Sequence, residues 1–249
     1  MTDLFWLTDE QFARLAPLLP RDTRGVPRVD DRRVISGIVQ VLRSGARWVD
    51  APPGPRKTLY NRFVRWAARG VWREVFETLS RAGGPPAVLL LDSTHAKAHR
   101  WAGGGKGGLR PQAIGRSRGG RTTKIHAAVD EHGRPVAVEL SPGQRGDARV
   151  ALALIGSLPA PRLCLADAAY DSDGLRRFLS ERGTLPVIPN NPTRKRHHPF
   201  DRTLYRERNR IERMICRLKD FRRIATRYDK LAQNYLAAVH IAAIMAFWL

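Results

Sequence analysis

Cysteine is nearly absent from this chain: Cys164 and Cys216 are the only two in 249 residues. One thiol in an apolar run and one in a helical stretch make no disulfide framework, and they are too few to ligate a structural zinc. A reducing cytoplasm is the expected compartment. Nothing at the start resembles a secretory leader, because Asp3, Asp9 and Glu10 stand where a basic n-region belongs and no apolar h-region follows. Long hydrophobic runs are missing too. The most apolar stretch, Tyr235 to Leu249 with His240 as its strongly polar side chain, falls short of the about 20 residues that a spanning helix needs. It reads as a core-packing helix, and no membrane partner is expected. Two common chemistries are also excluded. The Gly-rich run at 103–108 is not followed by Gly-Lys-Ser or Gly-Lys-Thr, so it is no phosphate-cradling P-loop, and Ser93 lacks the Gly-x-Ser-x-Gly elbow of a nucleophilic triad.

Acid is the scarce charge. Lys and Arg number 44 against 23 Asp and Glu, a net charge of +21, which implies a polyanionic partner. Nucleic acid is the first candidate and an anionic membrane surface the second. With 43% hydrophobic residues the chain can bury a real core as one large domain or two smaller ones.

In so basic a chain three carboxylates need an explanation. Asp92 ends the apolar run Val88-Leu89-Leu90-Leu91, Asp167 ends Leu163-Cys164-Leu165-Ala166, and Glu212 lies inside a basic helix. A carboxylate at the end of a buried strand must be paired, protonated or bound to metal. Hard cations such as Mg2+ take oxygen ligands, and two of them about 4 Å apart can clamp the attacking and leaving oxygens of a phosphodiester. Taken alone, Glu212 also reads as a surface acid paired with Arg208 or Arg213. Asp171 and Asp173 read as capping and first-turn acids of the following helix, with no metal role.

The first 85 residues read as helical. Thr8-Asp9-Glu10-Gln11 offers a capping start before Phe12, Leu15 and Leu18, and Pro20 closes that segment. Val34, Ile35, Ile38, Val39, Val41 and Leu42 keep helical spacing up to Gly45. Pro52-Pro53-Gly54-Pro55 makes a rigid turn, after which Leu59, Phe63, Trp66 and Ala67 line one face of a further helix. A tight turn before this helix would make a helix-turn-helix placing Arg56 to Arg69 in a DNA groove, with Lys57, Tyr60, Arg62 and Arg65 as contacts. The plainer alternative is a helical bundle with a solvated basic face.

Gly83-Gly84-Pro85-Pro86 marks a boundary between residues 1–85 and a second domain, 86–249. Ala87 to Leu91 reads as a buried strand, and Thr122 to Asp130 with Arg134 to Leu140 as a hairpin around Glu131-His132-Gly133. A helix follows over 147–155, a strand over 162–166, a helix over 172–181, a strand over 185–188, and two helices, over 204–221 and from 231 onward. Strand, strand, strand, helix, strand, helix, strand, helix is the ribonuclease H order. The expected fold is α/β: a ribonuclease H-like mixed sheet flanked by helices, preceded by a helical, helix-turn-helix-like domain. The first and fourth strands lie side by side in that fold, which would let Asp92 and Asp167 share a cation. At about 100° per residue, Tyr205, Arg208, Glu212 and Lys219 fall within an arc of about 60° beside the apolar arc of Ile211, Met214, Ile215 and Leu218. Glu207 is expected to point toward the apolar arc.

Between Ala102 and Thr123 a Gly-rich segment carries Lys106, Arg110, Arg116, Arg118 and Arg121 and no acid. It reads either as a phosphate-tracking loop closing over DNA beside Asp92 or as a flexible excursion. His95 and His99 have the i, i+4 spacing of a helical zinc pair but no further ligand. His126 reads as a satisfied core histidine.

These motifs resemble the DDE transposases of IS5-type bacterial insertion sequences, in particular the IS427-like group. Trp6-Leu7-Thr8-Asp9-Glu10-Gln11, Leu18-Leu19-Pro20, Asp30-Asp31-Arg32-Arg33 and Tyr60-Asn61-Arg62-Phe63 are similar to the family's N-terminal region. Gly115-Arg116-Ser117-Arg118-Gly119-Gly120, Thr123-Lys124-Ile125-His126 and Tyr170-Asp171-Ser172-Asp173 are similar to its catalytic domain. Tyr205, Arg208, Glu212 and Lys219 match its spaced Tyr, Arg, Glu, Lys signature, and Arg222 to Lys230 follow as in the family. Ala168 departs from the usual Lys after the second Asp, which weakens an expected DNA contact without removing a metal ligand. Many relatives split the two regions between overlapping reading frames, whereas here they are continuous.

The resemblance implies Asp92, Asp167 and Glu212 as the catalytic, metal-holding triad, with Mg2+ as cofactor and Mn2+ able to substitute. It implies cleavage at the element's ends and joining of the freed 3′ hydroxyl to target DNA. Lys57, Tyr60, Arg62, Arg65, Arg116, Arg118, Arg121, Lys124, Tyr205, Arg208 and Lys219 are the expected DNA contacts. The expected partners are double-stranded DNA, as terminal inverted repeats and target site, and further copies of the chain on that DNA. The expected location is the cytoplasm, with the nucleoid. Two alternatives stand beside it: an inactive relic acting as a DNA-binding repressor, and a ribonuclease H-like nuclease that cuts without joining.

Overall fold

The computed structural model describes residues 4–21, 28–51, 56–105, 108–109 and 111–249. The proline-rich turn at 52–55 and the basic residues Lys106 and Arg110 lie outside them.

Helix α1 (Asp9–Leu15) starts in a capping box. The Thr8 hydroxyl accepts from the Gln11 N–H and the Gln11 side chain accepts from the Thr8 N–H, both at 3.1 Å. Helix α2 (Asp31–Ser44) is capped by Asp30 and closed by Gly45 at φ 77°, a left-handed conformation that costs glycine little. Helices α3 (Arg56–Ala68) and α4 (Val71–Ala82) follow. The tight turn lies after α3, where Arg69 and Gly70 alone separate it from α4. Residues 45–55, including a 3-10 turn at Trp48–Asp50, separate α2 from α3. Helix α2 packs against α3, and the turn expected between them at 52–55 lies outside the described residues.

The sheet begins with β1 (Val88–Ala98), which runs six residues past Asp92. The strand was expected to stop at the carboxylate because the apolar run stops there. Backbone pairing with β3 (Gly120–Val129) instead carries it on, with His95 opposite Lys124 and Lys97 opposite Thr122. His95 is thus a strand residue, and its spacing to His99 is not that of a helical pair. Strand β2 (Gly115–Ser117) pairs with the start of β3, and β4 (Pro135–Pro142) forms the expected hairpin with it. Helix α5 (Asp147–Gly156) leads to β5 (Leu163–Ala166), parallel to β1, and α6 (Asp173–Glu181) leads to β6 (Leu185–Val187), parallel to β5.

The path β4-β3-β1-β5-β6 is the mixed order expected of a ribonuclease H-like sheet, three antiparallel strands followed by two parallel ones. Helices α7 (Arg202–Tyr205) and α8 (Asn209–Lys219) follow, joined by a 3-10 turn, and then α9 (Arg222–Ala225). Strand β7 (Thr226–Arg227) adds a short parallel pair to the end of β1.

Helix α10 (Ala232–Ala243) buries Tyr235, Ala238, Val239, Ala242 and Ala243. It packs against α2, α3 and α4 as well as β4, so the N-terminal helices and the sheet share one hydrophobic core. The apolar C-terminal stretch is core, as its length implied. Among the described residues no helix is long and apolar enough to cross a membrane.

Candidate active site

The parallel register of β1 and β5 sets Leu91 opposite Ala166, so the next residues along the two strands are Asp92 and Asp167. Asp92 stays within β1, opposite Ala127 of β3. Asp167 leaves the sheet and caps a 3-10 turn, its carboxylate accepting from the Ala169 N–H at 2.9 Å. The third carboxylate arrives on α8. Ile211, Met214 and Leu218 are buried at helical spacing and seat the helix beside β1. Glu212, next to that apolar stripe, stays 55% exposed. Glu207 does not turn to the apolar arc as expected; it is exposed and paired with Arg210.

Arg208, one turn before Glu212, gathers all three. Its Nη2 lies 2.7 Å from Asp92 Oδ2 and 3.9 Å from Asp167 Oδ2, and its Nη1 lies 2.6 Å from Glu212 Oε1. Burial pushes the Asp92 carboxyl up to about 6, with Asp167 and Glu212 adding to the rise against the pull of Arg208 and the Ser93 N–H. Burial also opposes the Arg208 charge, but Asp92 and the other acids outweigh it and hold the guanidinium above its ordinary value. Tyr205 stands at the same site, half-buried, its phenol raised first by burial.

Successive strand residues face opposite ways, and Ser93 therefore turns from α8 toward α5. Its Oγ donates to Asp147 at 2.7 Å. Lys124 meets the same carboxylate at 2.9 and 3.0 Å and the Arg145 carbonyl at 3.0 Å, which uses all three of its donors. Lys124, expected on DNA, is instead a strut behind the site. His126 is fully buried against Ser141 at 2.7 Å, and burial lowers its ring to about 4. Tyr170 lies buried near Asp92, Asp147 and Asp167. The Ser93–Asp147 contact was not anticipated, since Asp147 gave no signal beyond an acid at a helix start. Asp171, read as a cap, is a buried partner of Arg176 and Arg194, while Ser172 caps α6.

The remaining expected contacts divide by exposure. Lys57, Tyr60 and Arg65 are exposed on α3. Arg62 is buried, paired with Asp31 and set over the Trp66 ring at 5.0 Å, which leaves it no face for a phosphate. Arg116, Arg118 and Arg121 are exposed on the β2–β3 hairpin, level with Lys97. That is about 17 Å of strand from Asp92, so the hairpin lies away from the carboxylates. Lys219 is half-exposed, about 10 Å of helix rise beyond Glu212.

The donor set suits a hard dication: three carboxylates converge, one of them costly to ionise where it stands. Among the described residues no three such groups stand close enough to hold a metal as they are. Arg208 lies among them and supplies the compensating positive charge.

A family profile described as "Transposase DDE domain" matches residues 83–248. The chain belongs to the DDE transposase family. A second profile, "Putative transposase of IS4/5 family", matches residues 7–76 of this transposase. It is 41% identical over 129 residues to a putative transposase for insertion sequence element IS6501 of Brucella ovis, covering 51% of this chain and 98% of that one. It is 30% identical over 182 residues to a putative transposase for insertion sequence element IS402 of Burkholderia cepacia, covering 66% of this chain and 79% of that one. In three dimensions it is similar to a piggyBac transposase in a synaptic complex with hairpin DNA, at TM-score 0.50 and 13% identity, covering 98% of this chain and 72% of that one. That likeness supports the DDE, ribonuclease H-like fold.

Proposed function

We propose that this transposase cleaves the ends of its insertion sequence and joins them to target DNA, with Asp92, Asp167 and Glu212 as the groups that hold Mg2+. The observation that carries the reading is their convergence on Arg208 at the β1–β5 edge. A divalent ion held there supplies charge neutralisation at the phosphodiester and an activated oxygen nucleophile. The chain's own part is placement. Asp92 is held within β1, Asp167 caps the turn that follows β5, and Glu212 rides on a helix locked by its apolar stripe. Arg208, freed from the carboxylates, would turn to a DNA phosphate, where its planar fork binds two oxygens. Tyr205 and Lys219 lie along the same helical path and would hold the backbone on either side.

We assign residues 1–85 to reading duplex DNA, through Lys57, Tyr60 and Arg65 on α3, and 86–249 to catalysis. The net charge of +21 supports duplex binding in the nucleoid of the cytoplasm, and the need to hold two element ends together supports assembly of several copies on DNA.

The test is cleavage and strand transfer on a labelled duplex carrying the terminal repeat, with Mg2+ or Mn2+, comparing the intact protein with Asp92→Asn. Products from the intact protein alone are expected. Binding without products from either protein would make the chain a DNA-binding relic, and cutting without joining would make it a nuclease.

A further inference from the structure

Six residues along β1 from Asp92, some ~20 Å by strand rise, the strand ends at a second concavity. Its walls come from three separate parts of the chain: the 3-10 turn after α2 with α3, the turn after β1, and the segment after β7. Together they enclose a cavity of about 1270 Å3, above the usual range for a small-molecule site of roughly 300–1,000 Å3.

Aromatic rings stand in each of the three walls. Trp48 packs against Tyr60 with centroids 5.5 Å apart. His99 lies 5.4 Å from Trp101 and 4.9 Å from Tyr228. Trp101 is 56% exposed and Tyr60 43% exposed, an unusual cost for large rings unless something covers them. Cations surround them: Arg47, Arg100 and Lys230 are exposed at the rim, and Arg223 sits between the Trp48 and Tyr228 rings at 5.6 and 5.2 Å. Of the four, Arg47 is the one held by a nearby acid at hydrogen-bond distance, Asp50 at 2.7 Å.

A separate observation lies in the wall behind the rings. Trp48 Nε1, Arg223 Nε, Asp229 Oδ2 and Asn234 Oδ1 are buried with no hydrogen-bond partner, and all four residues line this one cavity. Arg223, Asp229 and Asn234 are each more than nine-tenths buried. Asp229 Oδ2 faces Arg223 Nη2 at 3.9 Å, so Trp48 Nε1, Arg223 Nε and Asn234 Oδ1 are the atoms in this wall whose polar capacity the protein does not use.

Exposed ring faces with cations around them, and donors and acceptors in reserve, match the chemistry of a nucleobase on its phosphate chain. Duplex DNA keeps its base faces stacked on one another, so it could meet the rim cations but not the rings. We propose that this groove binds single-stranded DNA, with an unpaired base stacked on Trp101 and the flanking phosphates on Arg100 and Lys230. The volume admits more than one nucleotide. The groove is too far from Asp92 to be part of the carboxylate site, and the proposal does not depend on catalysis.

The full-length protein is titrated in EDTA with a labelled short oligothymidylate, the same sequence as duplex, an abasic strand of equal length, and thymidine monophosphate. The oligothymidylate is expected to quench tryptophan fluorescence. Trp101→Ala should weaken its binding about tenfold, with Trp101→Phe recovering most of the loss, while duplex affinity changes little. Because Trp101 is mostly exposed, thermal unfolding should be unchanged. The proposal is overturned if the intact protein shows no quenching, if Trp101→Ala weakens duplex and single strand alike, or if the abasic strand binds as well as oligothymidylate. Monophosphate binding as tightly as the strand would also overturn it and make this a free-nucleotide site. Loss of cleavage activity is read separately and bears on the carboxylates alone.

Discussion

Arg208 Nη2 stands 2.7 Å from Asp92 Oδ2, both side chains 13% exposed. On the proposed function the contact has two jobs in sequence. Without metal, the guanidinium compensates a carboxylate that burial makes costly. With metal, the same carboxylate would need its lone pairs for the ion, and Arg208 would become free for DNA. Breaking a buried pair from one side leaves an uncompensated charge. Arg208→Gln should therefore lower stability by about 2–4 kcal/mol in EDTA, and saturating Mg2+ should restore more stability to the variant than it adds to the intact protein. Urea unfolding of both proteins with and without Mg2+ measures this. Equal Mg2+ effects would show that arginine and ion do not compete for the same oxygens.

Asp92→Asn should abolish strand transfer and also stabilise the metal-free fold. The folded carboxyl titrates at about 6 against an ordinary 3.8, so the folded state holds its proton more tightly than the unfolded chain. The sign follows: Asp92 costs nothing below the unfolded value, and its cost grows as pH rises to about 6 and is full above it. Asparagine cannot ionise and escapes that cost. A gain of about 1–3 kcal/mol near neutral pH, or several degrees in Tm, is expected by calorimetry in EDTA. A less stable Asp92→Asn would show that the Arg208 contact outweighs the burial of the charge.

Much of this architecture was legible because its signals are local. The apolar runs before Asp92 and Asp167 mark the two central strands, and the alternation around Glu131-His132-Gly133 marks the hairpin. The stripe Ile211, Met214, Leu218 fixes which side of α8 faces the sheet. What was not legible depended on pairing across the chain. Ser93 to Ala98 carry no buried-strand pattern, and their ladder with β3, joined by β7 at Lys97 and Ala98, keeps them extended. Arg62 and Lys124 are cations like their neighbours, and nothing local reveals that Asp31 and Asp147, 31 and 23 residues away, draw them inward. Arg227, fully buried with its Nη1 on Thr123 Oγ1 at 2.7 Å, is hidden for the same reason.

His240 should give the fold a steep acid limb. It is fully buried against the Phe76 ring at 4.9 Å, and burial lowers it to about 3. A histidine lowered in the fold gains its proton first in the unfolded chain, so its stabilising contribution is full above the ordinary 6.5 and is lost as pH falls toward about 3. Between pH 6.5 and 5 that amounts to about 2 kcal/mol. His126 adds a loss of the same sign, and Asp92 offsets part of it. His240→Leu should remove about half of the histidine-dependent slope in urea midpoints measured across this range. An unchanged slope would place the acid sensitivity elsewhere.

Two arginines three residues apart on α3, Arg62 and Arg65, separate packing from the proposed DNA binding. Arg62 is 3% exposed and held by Asp31, whereas Lys57 and Arg65 face solvent on the same helix. Arg62→Ala leaves Asp31 to Arg28 alone, and should cost about 2–4 kcal/mol of stability. Its effect on duplex affinity should vanish once the measurement is made well below the unfolding temperature. Lys57→Ala and Arg65→Ala should leave Tm within about 1 °C, weaken terminal-repeat binding, and each reduce the slope of log affinity against log salt by about 1. Calorimetry and binding over a salt series distinguish the two classes. A normal salt slope in Lys57→Ala and Arg65→Ala would remove α3 from the DNA-reading surface, whatever happens at Arg62.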